Sequence, residues 1–72
     1  MLIVFKFKTE IGEFTSEEMN VTKEQYAKLI EMSRSFFLGG GYDMYLPNGF
    51  LVASPEIVKK SILIIEIIDD NE

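Results

Sequence analysis

Apolar and polar residues alternate at the start of the chain. Ile3, Phe5 and Phe7 fall on one side of an extended backbone and Leu2, Val4, Lys6 and Lys8 on the other. This two-residue period is that of a strand with one face turned inward. Thr9-Glu10-Ile11-Gly12 then reads as a turn, and Glu13 to Glu18 as a returning second strand with Phe14 pointing inward. The acids of that strand suit a sheet edge, where charge discourages pairing with a stray chain.

A different pattern closes the chain. Between Ile62 and Ile68 the one polar residue is Glu66, and β-branched isoleucine dominates. Branching at Cβ restricts χ1 and favours an extended chain that packs well on a pleated surface. Leu63, Ile65 and Ile67 take one face, and Ile62, Ile64, Glu66 and Ile68 the other, so both faces call for burial. A strand of this kind is expected in the middle of a sheet.

Between these strands the period lengthens to that of a helix. Thr22 and Gln25 are spaced for a capping box. Tyr26, Leu29, Ile30, Ser33 and Phe37 follow on one inward stripe, with Lys23, Glu24, Lys28, Glu31 and Arg34 mostly on the wet side. A second capping pattern, Thr15 with Glu18, would start the helix earlier and dissolve the second strand; the spacing favours Thr22. Gly39-Gly40-Gly41 is expected to end the helix in a left-handed C-cap. Tyr42 to Leu46 and Phe50 to Ala53 alternate as a hairpin about Pro47-Asn48-Gly49, where Asn-Gly is expected to supply positive φ. Ser54-Pro55 opens a single helical turn that leads into the last strand, and Asp69 to Glu72 reads as an acidic frayed tail.

These elements make one small α+β domain over residues 1–72. Its order is ββαββ, a short helical turn and β, with one helix on one face of a four- to five-stranded mixed sheet. That order resembles the ubiquitin-like β-grasp architecture, which implies first and last strands lying parallel at the sheet centre. The resemblance rests on element order alone, so it implies no site residues. A conjugated modifier of that kind ends in Gly-Gly, whereas this chain ends Asp69-Asp70-Asn71-Glu72, so attachment to other proteins is not expected.

Composition narrows the chemistry. With no Cys and no His, the chain lacks thiolate nucleophiles, zinc-thiolate ligands and the commonest general base. Twelve acids against seven bases give a net charge of −5, which opposes binding to phosphate backbones. The apolar run Met1 to Phe5 is too short for a signal peptide or a membrane span, so a cytoplasmic location is expected.

Each remaining candidate site has a plainer reading. Gly39 to Gly41 sits at the negative end of its helix, the wrong end for a phosphate loop. Asp69, Asp70 and Glu72, with Glu66, lack the turn that wraps a hard cation. Glu17 and Glu18 are strand neighbours pointing to opposite faces and cannot share a substrate. Lys59-Lys60, joined by Lys6 and Lys8 if the first and last strands are neighbours, could meet a partner's carboxylate or a phosphate, but otherwise reads as solvated lysine. Ser33, Arg34 and Ser35 have no histidine or thiol companion for nucleophilic chemistry. Tyr42 and Tyr45 lie on opposite faces of their strand, so at least one is expected at the surface.

The expected function is a small, non-catalytic protein-interaction domain that needs no cofactor and binds neither nucleic acid nor membrane. One helix covers one side of the sheet, which leaves Leu2, Val4, Ile62, Ile64 and Ile68 as an apolar patch on the other. A homodimer or another protein would cover it. Folding of Pro55 to Lys60 or of the N-terminal hairpin over the patch would instead bury it within one chain. The alternative function is a small-ligand regulator or minimal enzyme with a pocket near Gly39 to Gly41.

Overall fold

The first strand turns out to be the hub of the molecule. The computed structural model describes residues 1–70, with the backbone alone described for residues 36–39. In order the elements are β1 (Leu2–Thr9), β2 (Gly12–Thr15), β3 (Met19–Asn20), α1 (Lys23–Gly39), β4 (Tyr42–Leu46), β5 (Gly49–Ala53), α2 (Pro55–Val58) and β6 (Ile62–Asp69). The class is the α+β expected, one main helix packed with strands in the expected order. The strands sort into two sheets, one built on β1 and the other the β4–β5 hairpin. Every pairing is antiparallel, so the sheets are not mixed.

Two expectations fail on β6. It runs antiparallel to β1, from Ile3 opposite Ile67 to Lys8 opposite Ile62, not parallel as in the β-grasp order. It is also an edge strand: β1 is its one partner among the described residues. The reason lies in β1, which bonds on both flanks. Its odd residues bond towards β2 and β3, because Met1 exchanges bonds with Val21, and Phe5 accepts from Ser16 N at 2.8 Å and donates to Ser16 Oγ at 2.8 Å. Backbone groups alternate sides along a strand, so Val4, Lys6 and Lys8 bond towards β6. Asp69 pairs with Leu2 past a register shift, so β6 runs one residue into the expected tail. Asn71 and Glu72 lie outside the described residues.

The second strand is broken in two. Lys6 faces Thr15, yet Ile3 faces Met19, so the returning chain gains one residue over β1 and bulges at Ser16 to Glu18. Ser16 is buried at the bulge, and its hydroxyl satisfies the Phe5 N–H and donates to Glu17 O at 2.9 Å.

The helix begins where the capping box puts it. Gln25 N donates to Thr22 Oγ1 at 3.1 Å, and Thr22 N to Gln25 Oε1 at 2.9 Å. A start at Thr15 is excluded, since Thr15 lies in β2. Of the expected stripe, Tyr26, Leu29, Ile30 and Ser33 are half-buried, while the Phe37 side chain lies outside the described residues. The glycines behave differently from expectation. Gly40, Gly41 and Gly49 are not in the left-handed region, and the described glycine with positive φ is Gly12, at 157°. Leu46 pairs with Gly49, so Pro47 and Asn48 form the tip. Proline holds φ negative there, which rules out the primed turns. Ser54 caps α2 without a side-chain bond, and Pro55 takes the first turn as expected.

The core gathers on one face of β1. Phe7, Tyr42, Met44, Ala53 and Val58 are buried together, with Phe5, Phe14, Leu46, Leu51 and Leu63 packed against them. The hairpin and α2 therefore share with the helix the face set by Ile3, Phe5 and Phe7.

Candidate interaction surface

The opposite face of the β1–β6 ladder carries the residues singled out for association. Register places Val4 opposite Glu66, Lys6 opposite Ile64 and Lys8 opposite Ile62, with Leu2 opposite Asp69 past the register shift at Ile68. Ile62, Ile64 and Ile68 are 62%, 36% and 47% exposed. Leu2 is half-buried, and Val4 is 5% exposed. Three isoleucines therefore protrude, while Val4 lies low between them.

Neither segment that could have covered this patch does so. The N-terminal hairpin extends the same sheet, and Val58 of α2 joins the core on the Phe7 side. Charge also stands on the face: Lys8 lies opposite Ile62, and Lys6 reaches diagonally to pair with Glu66, the residue opposite Val4. The hydrogen bond to Glu66 and its negative charge raise the pKa of Lys6. That pair satisfies the one acid that interrupts the isoleucine run.

The edge next to this face is open in a definite pattern. Since Ile62, Ile64 and Glu66 face Lys8, Lys6 and Val4, their backbone groups are engaged with β1. Leu63, Ile65 and Ile67 thus turn their N–H and C=O groups outward. Beside them α1 and β6 bound a cleft of about 480 Å³, lined on the helix by Tyr26, Ile30 and Arg34 and on the strand by Ile62, Leu63 and Ile65.

The other sequence candidates scatter. Lys60 lies 3.7 Å from Glu10, and Lys6 is held by Glu66, so the lysines do not converge on a basic spot. Arg34 lies 3.5 Å from Glu31, and Ser35 Oγ donates to Glu31 O at 3.3 Å, both within the helix surface. Glu17 and Glu18 are exposed in the bulge. Among the described residues no three carboxylates are grouped to hold a metal ion, and no helix is long and apolar enough to cross a membrane. Gly40 and Gly41 line neither the α1–β6 cleft nor a second one, of about 420 Å³, between the hairpin and Phe5.

Tyr42 and Tyr45 divide as their alternation requires. Tyr42 is buried against Phe7, ring centroids 5.2 Å apart, and burial pushes its phenol up to about 12. Tyr45 is 74% exposed and meets Phe50 edge-on at 4.9 Å. With Val52, these two make an apolar outer face on the hairpin. Sequence reading missed Phe50 and Val52 as surface residues, although their places opposite Tyr45 and Asp43 follow from a turn at Pro47-Asn48.

No protein-family model matches the chain, and no curated protein and no solved structure is significantly similar to it.

Proposed function

We propose that the protein is a small, non-catalytic interaction domain of the cytoplasm that associates with a second copy of itself through the β1–β6 ladder. The supporting observation is the exposure of Ile62, Ile64 and Ile68 along a strand whose outer edge pairs with no described strand. Scattered apolar residues are ordinary on a protein surface, but these recur along one strand, beside an open edge. A chain of 72 residues has a small core, and sharing apolar surface with a second copy adds to it.

Light scattering at tens of micromolar, repeated on Ile64→Glu, tests the reading. A wild-type dimer that becomes a folded monomer on substitution supports it. A wild-type monomer that unfolds on substitution places Ile64 in the core of a single chain and overturns it.

A further inference from the structure

We infer that the self-association proposed above, on which this inference rests, takes the form of antiparallel pairing between the open edge of β6 and that of a second copy. Three observations converge on that edge. Leu63, Ile65 and Ile67 direct their backbone groups away from β1, which leaves a row of donors and acceptors with the spacing of a ladder. The strand has no proline, and its one charged interior residue, Glu66, is held on the outer face by Lys6. Its two ends are oppositely charged, with Lys59 and Lys60 before it and Asp69 and Asp70 at its close.

That polarity selects the occupant. An antiparallel copy sets the basic end of one strand against the acidic end of the other, twice, by symmetry; a parallel copy would set like against like. The register with Ile65 opposite its counterpart places Leu63 opposite Ile67 and Lys60 opposite Asp70. All three outward residues then meet outward residues of the second copy. On the helix side, the incoming Leu63, Ile65 and Ile67 enter the cleft beside Tyr26 and Ile30. On the other side, Ile62 comes to lie against Ile68 of the second copy, which covers flanks that are now exposed. The two four-stranded sheets thus become one continuous eight-stranded sheet with the paired β6 strands at its centre, the position the two apolar faces of β6 call for.

The test uses the full chain. Ile67→Pro removes an outward N–H without touching a bond to β1, and should yield a monomer whose circular dichroism is native. Lys60→Asp and Asp70→Lys should each weaken the dimer by roughly tenfold, since each change acts at two symmetry-related contacts. Mixed together, the two variants should restore it as a heterodimer, because each supplies the charge the other lacks. Amide exchange at Leu63, Ile65 and Ile67 should slow as protein concentration rises, while Ile62, Ile64 and Glu66 stay slow throughout. A dimer indifferent to the charge reversals and to mixing, with fast exchange at Leu63 and Ile65, overturns edge pairing and leaves self-association through the face. A wild-type chain that stays monomeric overturns both.

Discussion

A Cβ atom on Gly41 would collide with the carbonyl oxygen of Ala53. The helix therefore hands over to the hairpin at a point where two backbones touch, beside the first pair of the ladder, Tyr42 with Ala53. Gly41→Ala must push the strands apart or tilt the hairpin off Phe7, an overpacking cost of about 1–3 kcal/mol. Gly40 has nothing within 4 Å of the corresponding position and no left-handed φ. Gly40→Ala should be neutral or stabilise by up to about 1 kcal/mol through the unfolded chain. Urea unfolding of the two variants checks the contrast; equal midpoints would show that the close approach does not constrain the fold.

Ser16 completes the bulge that separates β2 from β3. Its hydroxyl takes the Phe5 N–H that a continuous ladder would have given to a backbone carbonyl, and its own N–H returns a bond to Phe5 O. Ser16→Ala leaves a part-buried donor without its acceptor, at about 1–3 kcal/mol. Exchange at the Phe5 amide should quicken more than at Phe7, whose β2 pairing with Phe14 is untouched. An unchanged Phe5 rate would mean that the hydroxyl is dispensable to the bulge.

The contrast between Thr22 and Ser16 shows which parts of the fold are legible in a sequence. The capping box is decided within four residues, so Thr22 and Gln25 disclose the helix start directly. The two-residue period of β1 likewise disclosed which of its residues face the core. The bulge is set by how β1 is bonded on its other flank, and no local pattern announces it. The place of β6 misled for a related reason. A run apolar on both faces reads as a central strand, whereas here β2 and β3 occupy the far flank of β1 and leave β6 outside. At the turns, Gly41 and Gly49 suggested left-handed backbone, but close packing explains the first, and Pro47 excludes a primed turn at the second. Alternation expects Leu2, Val4, Ile62, Ile64 and Ile68 on one face, but the register shift at Ile68 and the burial of Val4 depend on how β1 and β6 pair, which no local pattern announces.

Tyr42 makes stability depend on alkaline pH. Burial against Phe7 raises its phenol from the ordinary 10.0 to about 12, so the folded chain holds the proton where the unfolded chain has lost it. A raised folded pKa gives stability that is complete below the unfolded value and lost as pH climbs through the folded one. Stability should therefore fall between about pH 10 and pH 12, by up to about 3 kcal/mol in total. In Tyr42→Phe that component should disappear, along with one late step in the tyrosinate absorbance titration. A variant that loses stability over that interval as steeply as the wild type would show that some other group governs the alkaline limb.

The hairpin offers a second exposed apolar set, and it serves as the control for where association resides. Tyr45, Phe50 and Val52 share the outer face of β4 and β5 with Asp43, on the far side of the hairpin from the core. That places them away from the Ile62, Ile64 and Ile68 face, since the hairpin packs on the Phe7 side of β1. Val52→Lys puts a cation directly opposite Asp43, a cross-strand pairing that should hold stability constant or raise it by about 0.2–1 kcal/mol. Tyr45→Ala forfeits the edge-on contact with Phe50 and should cost about 0.5–1.5 kcal/mol. If association runs through β6, sedimentation velocity should give the wild-type oligomeric state for both variants. A Val52→Lys chain that melts like the wild type yet no longer self-associates would move the contact to the hairpin, where paired aromatic rings would take the part assigned to the isoleucines.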